Sequence, residues 1–158
     1  HAGCGGDDMI SKILVPLDGS PLAEQALPYA VEMARKFSAR LVLLRCMVLP
    51  EPVLVGMDMA IPQHYTDLQR IEREHVENYL AAVRERPELQ GLVADARAPF
   101  GSPGEAILEF AEAEQCDLIV MSSHGRSGLS RFVYGSVAEK VLHHTPCPLL
   151  LVKASEKS

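Results

Sequence analysis

Several features that would assign a function outright are missing from this 158-residue chain. No apolar run approaches the roughly 18 residues needed to span a bilayer, and the N-terminal stretch has neither the basic leader nor the apolar core of a secretory signal. The expectation is a cytoplasmic protein with no membrane role. Cys4, Cys46, Cys116 and Cys147 are widely spaced and make no Cys-x-x-Cys pair, so reduced, mostly structural thiols are expected rather than a disulfide framework. Neither Gly-x-Gly-x-x-Gly nor Gly-Lys-Ser/Thr occurs, which excludes the dinucleotide fingerprint and the Walker A loop. Excess positive charge is absent too: the formal net charge is −6 and the pI is near 5.5. That balance argues against a nucleic-acid partner or an acidic membrane surface and leaves room for a local anion site.

What is present suits one globular domain. Hydrophobic residues make up 47% and charged residues 23%, enough for a sizeable core in a chain of this length. Residues 1–8 are Gly-rich and aperiodic, so Met9 reads as the native start, residues 9–153 as the domain and 154–158 as a tail. Strand and helix patterns then alternate. Ile13-Leu14-Val15 is a short strand ended by Pro16, and Asp18-Gly19-Ser20-Pro21 reads as turn, N-cap and first helical residue. The helix that follows runs to about Ser38, lined by Leu22, Ala26, Tyr29, Ala30, Met33 and Phe37, with a kink expected where Pro28 meets the Glu24 carbonyl. Leu41 to Val48 is a second strand. Pro50, Pro52, Gly56 and Pro62 mark a long irregular connection, after which Leu68, Ile71, Tyr79 and Val83 line a second helix that closes before Pro87. Leu92 to Ala98 is a third strand, Ser102-Pro103 opens a third helix, Cys116 to Met121 is a buried fourth strand, and a helix from Ser136 leads to a last strand, Pro148 to Val152. This alternation predicts an α/β fold, a mostly parallel open sheet with helices on both faces. Ligands of such sheets bind beyond the carboxyl ends of the strands, where strand order reverses.

The segment after the fourth strand carries the strongest functional signal. Val120-Met121-Ser122-Ser123-His124-Gly125-Arg126-Ser127-Gly128 changes from apolar to small and polar, and Gly135-Ser136 follows before the helical pattern Val137 to Leu142. Gly125 and Gly128 permit positive φ and close backbone approach, so several N–H groups could converge on one anion. Arg126 and Arg131 add charge, and Ser136 as N-cap would place a helix dipole beside the loop. The plain alternative is that these glycines are only turn residues.

With the segments Lys12-Ile13-Leu14-Val15-Pro16-Leu17-Asp18-Gly19-Ser20 and His144-Thr145-Pro146-Cys147-Pro148-Leu149-Leu150-Leu151-Val152 at its two ends, the chain resembles the ATP-binding subgroup of the universal stress proteins from Met9 to Lys153. The resemblance implies a single-domain five-stranded sheet of order 3-2-1-4-5, Rossmann-like and similar to the adenine nucleotide alpha hydrolases. It also implies a stress-response regulator that binds ATP, with Mg²⁺ or Mn²⁺ bridging phosphate oxygens, and a homodimer through the C-terminal strand. The family's motif is Gly, two residues, Gly, nine residues, Gly, then Ser or Thr; here Ser122, Gly125, Gly135 and Ser136 hold those positions. Ser122 departs from the pattern: it keeps an N–H and adds a hydroxyl, and its Cβ obstructs the ligand if that position requires glycine geometry. By the same resemblance Asp18, with Pro16 and Gly19, faces the ribose or base, Cys46 lies beside the base and Met121 flanks the adenosine. Gly125 to Gly128 (with Arg126 and Ser127), Gly135, Ser136 and Val137 would hold phosphates, with His124 in the same loop.

Ordinary roles remain open for several of these residues. Asp18 could serve only its turn, Arg126 and Arg131 could be only solvated, and Ser136 could be only a cap. His124 in a loop invites a general-base role, but no carboxylate partner is identifiable from sequence. His143, His144 and Cys147 have short spacings, yet Pro146 and Pro148 disrupt the helical geometry of a metal site there. Cys46 and Cys147 read as small core residues, and His75 as a packing residue on the apolar side of its helix. Two other functions stay open: a slow ATP hydrolase or phosphoryl-transfer enzyme, and an interaction module that has lost the nucleotide while serving an unidentified protein partner.

Overall fold

The computed structural model describes residues 9–49, 61–126, 128 and 134–156, with 61–63 as backbone only. Five strands form one parallel sheet: β1 (Lys12–Leu17), β2 (Arg40–Arg45), β3 (Ala94–Arg97), β4 (Leu118–Ser122) and β5 (Leu149–Val152). Their order is β3-β2-β1-β4-β5. The chain moves outward from β1 to β3, then returns to β4 on the other side, so order reverses between β1 and β4.

That seam is only partly closed. β1 pairs with β2 from Lys12↔Arg40 to Leu17↔Arg45, whereas its pairs with β4 are Ile13↔Leu118 and Leu14↔Ile119. Pro16 lies inside β1 rather than ending it, beyond the last β4 pair, where its missing N–H removes no rung from that ladder.

Alternation along the strands supplies two cores. Ile13, Val15, Leu41, Leu43 and Val120 face α2 (Leu27–Phe37) and α3 (Ile61–Arg84), meeting Leu27, Ala30, Val31, Ala34, Val76, Leu80 and Val83. Leu14, Val42, Leu44, Ile119 and Met121 face α4 (Pro103–Ala113) and α5 (Ser136–His144), meeting Ile107, Ala111, Ala138 and Val141. Each fully buried Leu or Ile contributes about 1.5–3 kcal/mol of transfer free energy.

The first helix is broken where Pro28 removes a donor to the Glu24 carbonyl. It becomes α1 (Pro21–Glu24) and α2, and ends at Ser38 in the left-handed conformation with φ 53°. The break resets the buried face. Ala26 and Ala30 are buried as expected, but Tyr29 and Phe37, expected inward, are exposed, and Ala23, Leu27, Val31 and Ala34 are buried in their place. In α3, Leu68 and Ile71 are likewise exposed and Val76, Leu80 and Val83 carry the packing. A 24-residue helix is about 36 Å long, longer than the strands it covers, so its first turns overhang the sheet. His75 is exposed rather than packed, and Pro62 lies in the first turn of α3 rather than in the connection before it.

Candidate functional site

At the carboxyl edge of the sheet the diverging ends of β1 and β4 open a cavity of about 380 Å³, within the range of small-molecule sites. Its first wall is the turn after β1. Asp18 Oδ1 accepts the Ser20 N–H at 2.9 Å, and the Ser20 hydroxyl caps α1 by accepting the Ala23 N–H at 3.1 Å. Gly19 has φ +86°, and a Cβ there would lie 2.7 Å from an Arg45 guanidinium nitrogen. Only glycine satisfies both constraints.

The second wall is the segment after β4. Asp18 Oδ2 accepts the Arg126 N–H at 2.6 Å, and the Arg126 side chain donates to the Asp18 carbonyl at 2.7 Å, so both chain segments meet at one aspartate. A Cβ on Gly125 would collide with Asp18 Oδ2. The requirement for glycine here is close approach; the positive φ lies at Gly128 (+84°) and not at Gly125. The Gly128 N–H donates to the Gly125 carbonyl at 3.0 Å, which closes the turn. Ser122 is the last residue of β4, is buried, and keeps strand geometry in register with Val152, so its backbone does not demand glycine.

The third wall is the start of α5. Gly135, not Ser136, is the N-cap; it offers no side-chain cap, and its own N–H donates to the Ser123 carbonyl at 2.9 Å. Ser136, Val137 and Ala138 are the first three helical residues and all line the cavity. Their N–H groups lack intrahelical acceptors by position and lie at the positive end of the helix dipole.

A fourth wall comes from β2 and α4. The Met47 N–H donates to the Pro99 carbonyl and the Gly101 N–H to the Met47 carbonyl, at 2.7 and 3.2 Å, which draws the start of α4 against the end of β2. Cys46 Sγ donates to the Gly101 carbonyl at 2.9 Å, and burial pushes its thiol up to about 11. It stays protonated and is a wall atom rather than a nucleophile.

Of the residues singled out in the sequence, the cavity gathers Pro16, Asp18, Cys46, Met121, Ser122, His124, Gly125, Arg126, Gly135, Ser136 and Val137. Gly19 and Gly128 shape the two turns without lining it. Ser127 and Arg131 lie outside the described residues, as does Cys4. His124 lines the cavity with its Nδ1 engaged by the Ser123 hydroxyl at 3.0 Å. That hydroxyl also accepts the Ala154 N–H at 2.9 Å, while Ser155 and Gln25 exchange two hydrogen bonds. Among the described residues no group of three His, Cys, Asp or Glu side chains is placed to hold a metal.

Two charged lining residues escaped the sequence argument, Arg45 and Glu72. Arg45 was legible as an arginine ending an otherwise apolar strand one residue before Cys46. Glu72 looks like any acid on a solvated helix face until α3 is placed over the sheet end.

Three comparisons bear on this site. Residues 9–153 match the family model described as the universal stress protein family. Universal stress protein MJ0531 of Methanocaldococcus jannaschii is 32% identical over 152 residues, covering 96% of this chain and 87% of that protein. YxiE of Bacillus subtilis, also named a universal stress protein, is 34% identical over 149 residues, covering 92% of this chain and all of that protein. The solved structure of protein MJ0577 superposes with a TM-score of 0.78 at 28% identity, covering 94% of this chain and 99% of that one. A universal stress protein in complex with cAMP and an Arabidopsis thaliana family member with AMP bound have TM-scores of 0.69 and 0.64. At 22% and 17% identity these last two share the fold. No helix among the described residues is long and apolar enough to cross a membrane.

Proposed function

This chain belongs to the universal stress protein family, and on that premise we propose that it is a nucleotide-dependent regulatory protein whose cavity holds an adenine nucleotide, ATP in the working state. The observation that supports it most is the start of α5: three helical N–H groups without a side-chain cap open onto the same cavity as Asp18 and Gly125. An anion is the complement of that arrangement. Phosphates sit against Gly125, Gly135, Ser136 and Val137, the ribose meets Asp18, and the base lies by Pro16, Cys46 and Met121. Two proteins of this fold are described with AMP and cAMP, which agrees in ligand class.

A divalent cation, when bound, neutralises phosphate charge. The Asp18 carboxylate and the Ser136 hydroxyl would hold it together with the phosphates, and among the described residues no group of three His, Cys, Asp or Glu side chains is placed to form a protein cage. Occupancy changes the surface between Ser123 and Tyr134 that a partner protein reads; limited proteolysis with and without ATP tests this. β5 is a terminal strand with Leu149, Leu150 and Leu151 partly buried, and a homodimer covers its free edge. Light scattering at micromolar concentration tests that.

The first experiment is to denature protein purified without added nucleotide, identify what is released by mass spectrometry, and titrate the emptied protein with Mg-ATP. Released ATP or clear binding is expected. An empty protein that ignores ATP, AMP and cAMP sinks the reading. ADP that accumulates with metal and disappears in Gly125→Ala would move it to a hydrolase.

A further inference from the structure

Arg45 ends β2 on the face opposite Cys46, pointing toward α3, because successive strand residues alternate. Its side chain is 5% exposed and is one of only three buried polar or charged residues among those described. The guanidinium rests over the Tyr79 ring at 4.7 Å from the centroid. That ring is fixed in turn: Tyr79 donates to Glu24 at 2.8 Å, and Glu24 pairs with Arg86 at 2.5 Å. Among the described residues the Arg45 side chain makes no hydrogen bond and no ion pair, and Glu72, which lines the same cavity, stands beyond ion-pair distance.

A buried guanidinium has five N–H donors and pays heavily in desolvation unless they are filled. No fully buried side-chain nitrogen among the described residues lacks a partner, so the nitrogens of Arg45 are not sealed in protein; the guanidinium lies beside Gly19, and Arg45 is one of the residues that line the open cavity. One flat face is supported by an aromatic ring and the donor edge is left for something else. The glycine at position 19, where any Cβ would strike this guanidinium, leaves room for the group at the turn that also presents Asp18.

We propose that Arg45 anchors a second anion subsite at the Gly19 corner, separate from the glycine loop, and that the pocket therefore prefers a nucleotide bearing a phosphate on its ribose in addition to its 5′-phosphate. The inference rests on the placement of the nucleotide given above. With the 5′-phosphate at α5 and the base beside Cys46, the ribose lies at Asp18. A phosphate on its 2′- or 3′-oxygen, directed toward α3, meets Arg45. Arginine suits this role because its planar fork binds phosphate oxygens in pairs. Glu72 works against the same anion, so Glu72→Gln tightens it.

Calorimetric titration with AMP, adenosine 3′,5′-bisphosphate and the 2′,5′ isomer tests the proposal on the native protein, Arg45→Met, Arg45→Gln and Gly125→Ala. At least one bisphosphate is expected to bind about tenfold tighter than AMP or better. The ratio of bisphosphate to AMP affinity is expected to fall to about one in Arg45→Met, with Arg45→Gln as the milder replacement should the first variant not fold. Gly125→Ala weakens both ligands together and keeps their ratio. A ratio near one in the native protein, or a ratio that survives both Arg45 variants, overturns the second subsite and leaves the nucleotide reading standing. Failure of the native protein to bind any of the three ligands overturns both.

Discussion

Two aspartates stitch β1 to β4 at opposite ends of their seam, and they do different work. At the amino end, Asp117 Oδ2 accepts the Ser11 N–H, the Ser11 hydroxyl and the Lys12 N–H at 2.9, 2.9 and 3.0 Å. The strands beyond it are in register, Ile13 with Leu118 and Leu14 with Ile119. At the carboxyl end, Asp18 divides its oxygens between Ser20 and Arg126, the strands have parted, and the carboxylate looks into the cavity. The same residue type is a clamp in the turn that leads into β4 and a clamp with an open face in the turn that leaves β1. Pairing along the seam decides which, because a ladder that stops at Leu14↔Ile119 leaves the cavity on the side of Asp18.

The comparison breaks most sharply at Gly125. Gly125→Ala pushes a methyl into Asp18 Oδ2, parts the two walls, and is expected to weaken nucleotide binding on the order of 100-fold, about 2.7 kcal/mol; the far end, probed by amide exchange at Ser11 and Lys12, is expected to stay unchanged. Next is Asp18→Asn, which keeps the side chain's shape and removes the charge. It is expected to lower nucleotide affinity about tenfold. An unchanged titration would make Asp18 a clamp like Asp117.

Asp117→Asn is expected to cost about 1 kcal/mol in denaturant unfolding, at the low end for charged hydrogen bonds because water reaches the carboxylate, with nucleotide binding intact. Burial acts to raise the Asp117 carboxyl, but its hydrogen bonds from Ser11 and Lys12 and the Lys12 charge outweigh this and hold it below its ordinary value. A depressed folded-state pKa contributes stability above the unfolded-state value and loses it as pH falls through the folded one. The acid limb of the native protein below about pH 4 is therefore expected to flatten in this variant.

The smallest effect contrasts two thiols. Cys46 lines the cavity and Cys116 precedes Asp117, and burial pushes both up to about 11. At pH 8 each is on the order of 0.1% thiolate, so alkylation is slow at both. Bound nucleotide is expected to slow Cys46 a further few-fold and leave Cys116 unaffected, as read by peptide mass spectrometry.

Much of this seam was legible beforehand. Ser20 as cap, the break opposite Glu24 and the parallel sheet followed from local chemistry, because a proline or a capping hydroxyl acts within four residues of itself. The strand order and most of the cavity's lining followed from the resemblance carried by Asp18, Gly125 and Gly135-Ser136. What escaped depends on phase and distance. Tyr29 and Phe37 were turned outward by a reset at Gln25 and Ala26 that a continuous helical wheel does not contain. Ser136 was placed one position early because Gly135 adopts the extended cap conformation, φ −56° and ψ 151°, that a glycine does not advertise. Arg45 and Glu72 came together with the pocket only through the packing of α3 on the sheet edge, a contact between residues far apart in the chain.

The Ser123 hydroxyl has a practical meaning for anyone who labels this protein. It ties the Ala154 N–H to the residue next to His124, so Ala154 and Ser155 are part of the pocket's outer masonry. A fluorophore at Ser155 would sit a few bonds from the cavity wall and report its occupancy, whereas an affinity tag fused there would pull on the same wall and bias every titration made with it.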